Sequence, residues 1–337
     1  MATEVQSVQR KGRRPDLSYP LIVNGLDYLV DVVDRLATDP GVLPDARALK
    51  YAVLHLQAAT EVFLKARLQR DHWTLVFKKP ETASRVAFDS GRIESSCSTE
   101  EAFTRLTRIT GLALPDKALG AVKDLAKVRN ALQHYGLTAP AHSVESHAAE
   151  VLNFLLPFIA DHLLPGLEDG QRAEAERSLV LVRGRVQRID AYLTKRRNEL
   201  RIELKDVQDR TVCCPECEQL ALVLGGSRPG CRFCLKTWDE PGVAAEEYAW
   251  QRYGLDPCLP GTDDAGVALY CPDCEDEAMI IAVTAAQPKA PTYLCFSCAT
   301  VFAEEDLTPC EGWCARFQRT GSDPFCAECA PRALARF

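Results

Sequence analysis

The spacing of the cysteines constrains this chain more than any other feature of its sequence. Fourteen of the fifteen cysteines lie from residue 213 onward, and twelve of these form five C-x-x-C pairs and one C-x-x-x-C pair. A C-x-x-C turn presents two thiolates to one metal ion, and two such turns complete the tetrahedron that zinc prefers. A redox-active dithiol instead needs one such motif at the start of a helix. The pairs therefore predict three zinc sites, each with four cysteine ligands.

The order of the pairs along the chain predicts how they are grouped. Gaps of 13, 20 and 11 residues separate the two pairs of the first, second and third predicted site. The twelve predicted ligands are Cys214, Cys217, Cys231 and Cys234, then Cys271, Cys274, Cys295 and Cys298, then Cys310, Cys314, Cys326 and Cys329. Strand-like runs at 220–224 and 278–283 fit zinc ribbons, and with no histidine or activating base nearby the zinc should be structural. Cys97, Cys213 and Cys258 are left over, and Cys213 or Cys258 could replace an assigned ligand.

The two halves of the chain differ in charge. Residues 1–205 hold 30 Lys and Arg against 26 Asp and Glu, whereas residues 206–337 hold 10 against 21. An acidic ribbon region should repel a phosphate backbone, which favours a protein partner or an architectural role for that half. The sequence predicts four parts: a disordered basic arm (1–16), an all-α helical bundle (17–167), a long linker helix (168–206) and a zinc-ribbon array (207–337).

Apolar residues recur at helical spacing in the first two thirds of the chain. About five helices are expected in the bundle, and one of them should begin at a capping box formed by Ser98 and Glu101. Over 168–206 the spacing is near 3.5, which fits either a helix packed on the bundle or a self-associating coiled coil. The residues of that stripe are Leu179, Val182, Val186, Ile189, Leu193 and Leu200.

Composition and the N-terminal residues predict the cellular compartment of the protein. The 337 residues are 47% hydrophobic and 26% charged, which is typical of a globular protein. No uncharged stretch reaches the roughly 18 residues of a membrane-spanning helix, and the first residues lack the apolar core of a secretory signal. A cytoplasmic protein that does not associate with a membrane is therefore expected. In that compartment spaced cysteines indicate metal ligands rather than disulfides.

One polar motif in the helical half could carry chemistry. The sequence R-N-A-L-Q-H runs from Arg129 to His134, directly after a helical segment. Histidine titrates near neutral pH and can transfer protons, and the planar guanidinium of arginine suits phosphate oxygens. A hydrogen-bonded cap at a helix end would use the same residues, so both interpretations stand at this level.

The motif resembles the signature of the HEPN domains (higher eukaryotes and prokaryotes nucleotide-binding): arginine, a polar residue, and histidine five positions after the arginine. Together with the stretch 49–68, which is similar to the family's long helix, the resemblance covers about residues 17–165. It implies a HEPN-like bundle in which Arg129, Asn130 and His134 are catalytic at the interface of a homodimer. It also implies metal-independent cleavage of an RNA substrate by attack of the 2′-hydroxyl. Tyr135 departs from the pattern of one group in this family. Toxins that pair with a nucleotidyltransferase antitoxin have tyrosine two positions after the histidine, whereas Tyr135 follows His134 directly.

Two functions of different classes follow. The leading interpretation is a HEPN-type endoribonuclease, compatible with toxin, defence and RNA-processing roles, whose zinc ribbons are structural or bind a partner. The alternative is a non-enzymatic, dimeric zinc-ribbon adaptor for protein or nucleic acid, and a nucleotide-binding HEPN module without cleavage is a weaker third. The intact Arg129–Asn130–His134 set favours the enzyme, whereas the acidic ribbons favour the adaptor.

Overall fold

The computed structural model describes residues 19–39, 42–226, 228–254, 268–312, 314 and 316–334. The predicted basic arm (1–16) and Cys258 lie outside these residues. Within them the helices are α1 (Leu21–Leu36), α2 (Ala46–Asp71), α3 (Arg85–Asp89), α4 (Thr99–Arg108), α5 (Asp116–Asn130), α6 (Ala141–His162), α7 (Asp169–Val186), α8 (Asp190–Glu203), α9 (Pro241–Tyr253) and α10 (Ala330–Leu334).

The N-terminal half is helical, as the sequence predicts. Its most extensive helix pair is α1 with α2, and Gly25 permits their close approach, because a Cβ atom there would lie 2.6 Å from Phe63 Cε1. The capping box is confirmed: the Glu101 backbone N–H donates to Ser98 Oγ over 3.1 Å, and the Ser98 N–H donates to Glu101 Oε2 over 2.7 Å. The start of α4 thus follows a local sequence signal.

Region 168–206 forms two helices, α7 and α8, and not the single long helix predicted from its sequence. A turn at 187–189 separates them, so that α7 packs on α1 while α8 packs on α6. Five members of the apolar stripe are buried within the chain, namely Leu179, Val182, Val186, Ile189 and Leu200. The prediction of a continuous helix is therefore wrong, because each part of the stripe is buried against a different helix of the bundle.

The C-terminal half consists of small antiparallel sheets. Their strands are β1 (Thr211–Cys213), β2 (Leu220–Val223), β3 (Gly230–Cys231), β4 (Leu269–Tyr270), β5 (Glu277–Ala282), β6 (Thr292–Cys295), β7 (Val301–Phe302), β8 (Leu307–Pro309) and β9 (Phe317–Arg319). The strand orders are β1-β2-β3, β4-β5-β6-β7 and β8-β9. The strands expected at 220–224 and 278–283 are β2 and β5, and α9 packs on β5.

One buried core extends from the helices through the first two sheets. An isolated bridge between Val212 and Thr284 also joins those two sheets. Cys310, Cys326 and Cys329 form a separate small cluster, whereas Leu307 of β8 belongs to the main core and Phe317 of β9 packs against it. Among the described residues, no helix combines the length and apolarity needed to cross a membrane.

Candidate metal centres and polar site

The twelve cysteines grouped from the sequence come together in three clusters. Within each cluster the four Sγ atoms lie within 4.8 Å of one another. We name them site 1 (Cys214, Cys217, Cys231, Cys234), site 2 (Cys271, Cys274, Cys295, Cys298) and site 3 (Cys310, Cys314, Cys326, Cys329). Cys213 lies apart from site 1, with its Sγ donating to the Glu218 carbonyl over 3.3 Å, and Cys97 is buried in the helical half. Neither therefore replaces an assigned ligand.

The sulfur separations fit a tetrahedral metal ion. In site 1 the Sγ atoms of Cys214 and Cys234 are 3.8 Å apart, and those of Cys217 and Cys231 are 3.7 Å apart. Corresponding separations are 3.7 and 3.6 Å in site 2 and 3.5 Å in site 3. A disulfide would bring sulfurs to about 2.05 Å. With Zn–S bonds of about 2.3 Å, the edge of a tetrahedron is about 3.8 Å, so the clusters fit thiolate-bound zinc.

All four cysteine turns of sites 1 and 2 have the same backbone. The residue after the second cysteine donates its N–H to the carbonyl of the first over 2.8–3.0 Å, and the first cysteine donates to the carbonyl five residues later over 2.9–3.0 Å. The residues after the second cysteines have left-handed backbones: Glu218 (φ 59°), Leu235 (φ 63°), Glu275 (φ 63°) and Ala299 (φ 60°). This conformation costs a non-glycine residue about 1–2 kcal/mol. A metal that holds both cysteines of a turn would offset that cost.

Site 3 has a wider first turn because of its C-x-x-x-C spacing. Cys310 donates its N–H to the Arg316 carbonyl, six residues later, over 2.8 Å. The backbone N–H groups of Gly312 and Cys326 donate to Cys310 Sγ over 3.3 and 3.2 Å. Such bonds favour the thiolate form that binds metal. The extra residue is thus accommodated while the sulfur stays in the cluster.

The donor sets point to structural metal centres. Each set consists of four thiols, and all six histidines of the chain lie in the helical half. A tetrahedral zinc ion with four thiolates is closed and supplies folding free energy rather than an activated water. The three clusters can therefore hold metal ions that stabilise the small sheets.

The polar motif lies at the end of α5. Arg129 and Asn130 close the helix, and His134 belongs to a π-helical turn (Ala131–Tyr135) that ends at Gly136, where φ is 78°. In a regular α-helix, side chains five residues apart point about 140° apart. A π turn places contacts five residues apart and is frequent at functional sites. It therefore brings the arginine and histidine of the motif nearer to one face.

The residues of the motif differ in their hydrogen bonds to one another. Arg129 Nη1 donates to Asn130 Oδ1 over 2.8 Å, which leaves the other N–H groups of the guanidinium available. Within the described parts of the chain, no hydrogen bond joins His134 to either residue. His134 is exposed and Tyr135 is 86% exposed. A single chain thus presents the motif on its surface and not in an enclosed cleft.

Sequence reasoning missed two buried arginines and a cavity. Arg183 on α7 and Arg196 on α8 are 5% and 8% exposed, and both donate to backbone carbonyls of site 1. A cavity of about 380 Å³ lies between α5, α6 and α8, with Asn153 and Phe158 in its wall. The only sequence signal for the arginines was that Arg196 interrupts the apolar stripe.

Comparison with known proteins finds no matching family model, no matching curated protein and no matching solved structure. The resemblance to HEPN domains therefore rests on the motif from Arg129 to His134 and on the helical segment 49–68.

Proposed function

We propose that this protein is a HEPN-type endoribonuclease that cleaves RNA without a catalytic metal and carries zinc in its three cysteine sites. One observation supports the proposal: Arg129 and Asn130 end α5, and His134 lies in the exposed π turn that follows directly. Their chemistry suits phosphodiester cleavage, since one group can transfer protons and another can bind phosphate oxygens.

Each residue has a defined role in the proposed reaction. His134 removes the proton from the 2′-hydroxyl, whose oxygen then bonds to the adjacent phosphorus. The bond from phosphorus to the 5′-oxygen breaks, and that oxygen takes a proton from the imidazolium of a second histidine. The products are a 2′,3′-cyclic phosphate and a 5′-hydroxyl. Arg129 binds the phosphate oxygens as charge develops, and Asn130 positions the guanidinium by accepting from Nη1.

The exposure of the motif supports a site shared by two copies. Fixed charges stabilise a transition state best where water is excluded, and the π turn of one chain is open to solvent. A second copy packed over this turn would enclose it and supply a second His134, so that one imidazole acts as base and the other as acid.

We therefore expect a homodimer that depends on Tyr135. Replacement Tyr135→Asp should place a charge in the interface and yield a monomer, as measured by light scattering at micromolar concentration. Val86→Asp is the matched control, because Val86 is 79% exposed on α3, outside the motif. A wild-type protein that is strictly monomeric contradicts both the dimer and the composite site.

Cleavage is tested with the metal-loaded protein and single-stranded RNA, with no divalent metal added. Arg129→Ala and His134→Ala should each lower the rate by about 10²–10⁴-fold, while Arg108→Ala, an exposed arginine on α4, should not. Product ends should be cyclic phosphates, and a 2′-deoxy substrate should stay intact. Equal cleavage by wild type and all variants, or cleavage of the deoxy substrate, would contradict the assignment.

A specific observation also favours the adaptor. Trp250 and Tyr253 on α9 are 59% and 44% exposed, beside Ile281 on β5 at 45%, and an exposed apolar patch of this kind is typical of an interaction surface. Failure to cut transfer, ribosomal and messenger RNA, in a protein that remains dimeric, would support the adaptor over the enzyme.

A further inference from the structure

A buried interface joins site 1 to helices α7 and α8. Arg183 Nε donates to the Cys234 carbonyl over 3.3 Å, and Arg196 Nη2 donates to the Arg232 carbonyl over 2.5 Å. Both carbonyls belong to the second cysteine turn of site 1 (231–234). The two helices therefore bind the backbone of a metal-binding turn, and the arginines that do so are almost fully buried.

Aromatic packing reinforces the same interface. Phe233, between the two cysteines of that turn, is fully buried against Tyr192 of α8, with ring centroids 5.6 Å apart at 78°. Arg197 of α8 donates to Gln219 Oε1 over 3.0 and 3.2 Å, directly after the first cysteine turn. Helix α8 thus contacts both turns of site 1.

The buried arginines need the carbonyls of this turn. Arg183 also pairs with Glu176 over 2.8 Å, and Arg196 pairs with Glu203 over 2.9 Å. Each guanidinium has more donors than its carboxylate accepts, and a buried charged group left without partners is strongly unfavourable. If the turn loses its shape, these donors lose their carbonyl acceptors within a buried interface.

Site 3 offers a contrast within the same chain. Its cysteines form a cluster separate from the core that the helices share with site 1. Its sheet is tied to the neighbourhood of site 2, where Arg319 of β9 donates to both carboxylate oxygens of Asp273 over 2.7 Å. Loss of metal from site 3 should therefore leave α7 and α8 unaffected.

We propose that site 1 is a metal-dependent latch for α7 and α8. A divalent ion with high affinity for four thiolates, such as zinc, holds the turn 231–234 in the shape that Arg183, Arg196 and Tyr192 require. When the ion leaves, the thiolates separate, the two carbonyls move, and α7 and α8 loosen from the bundle. The latch makes the helical half sensitive to metal supply and does not depend on RNA cleavage.

Hydrogen exchange in the full-length, metal-loaded protein tests the latch. Cys231→Ser and Cys326→Ser replace the first cysteine of the second turn in sites 1 and 3. We expect amide exchange over 169–203 to be at least about tenfold faster in Cys231→Ser and unchanged in Cys326→Ser. Unchanged exchange in both variants, or equal acceleration in both, would overturn the proposal.

A second arm leaves every cysteine in place and decides the matter if Cys231→Ser does not fold. Because coupling between sites is reciprocal, weakening the helix contacts should weaken metal binding. Arg183→Met and Arg196→Met should therefore release one of three zinc ions faster to a colorimetric chelator. Arg177→Met and Arg201→Met, at exposed positions of the same helices, should release all three at the wild-type rate. Equal release kinetics in all four variants would refute the latch.

Discussion

Gly312 fits site 3 because it has no side chain. A Cβ atom there would lie 2.3 Å from Cys329 Cβ, 2.4 Å from Cys329 Sγ and 3.3 Å from Cys310 Sγ. Real Cβ atoms do not approach other atoms this closely, so the sulfurs would have to move out of the cluster. The wide turn of site 3 therefore tolerates only glycine at this position.

We expect Gly312→Ala to bind two metal ions per chain where the wild type binds three, as measured by elemental analysis. The displaced sulfur is the physical reason, since zinc holds its ligands within narrow limits of distance. Gly226→Ala is the control, because the nearest atom to its added Cβ is 3.9 Å away. Retention of three ions by Gly312→Ala would show that site 3 does not bind metal in this geometry.

Residue types differ in how well their environment can be read from the sequence. The cysteine groups could be predicted because ligand spacing is itself the signal. The left-handed backbone of residues such as Leu235 could not be predicted. Glycine is the usual marker of that conformation, and none of the four residues that follow the second cysteines in sites 1 and 2 is glycine. The burial of Arg183 and Arg196 was equally hidden, since arginine is normally exposed and its acceptors here are backbone carbonyls distant in sequence.

At the scale of elements, the contact of α1 with α2 depends on one small residue. An added Cβ at Gly25 would meet the ring of Phe63 at 2.6–2.9 Å, and that ring is fully buried. We expect Gly25→Ala to lower the free energy of unfolding by about 1–3 kcal/mol through overpacking. Urea denaturation followed by circular dichroism measures the change.

The matched control is Gly120→Ala on α5. No atom lies within 4 Å of its added Cβ, so the substitution should raise stability by about 0.5–1 kcal/mol through helix propensity. Stabilisation of both variants would show that α1 does not pack on Phe63 of α2 as closely as Gly25 permits.

Element boundaries could be predicted where a local signal marks them. The capping residues of α4 are an example, since the signal lies in the sequence itself. The turn at 187–189 could not, because an apolar stripe looks the same whether it packs on one helix or two. The π turn after α5 was also missed, because a single turn is too short to establish a period.

At the scale of the whole molecule, the metal centres differ in how far they share the main core. The four cysteines of site 1 are 0–4% exposed and lie within the core that includes the helices. Site 2 has an exposed ligand in Cys298, and site 3 lies outside that core. A chelator should therefore reach sites 2 and 3 well before site 1.

We expect chelation to remove the three ions in two phases. Two ions should leave first with a small change in helical circular dichroism, because α9, which packs on the sheet of site 2, has 13 residues, whereas α7 and α8 have 18 and 14. The third should leave slowly and together with part of the helical signal, because the turn 231–234 supports Arg183 and Arg196. Cys326→Ser should lose one ion from the fast phase and keep the slow phase unchanged. Release of all ions in one phase, or loss of helical signal with the first ion, would mean that site 1 is no more tightly joined to the helices than the other sites.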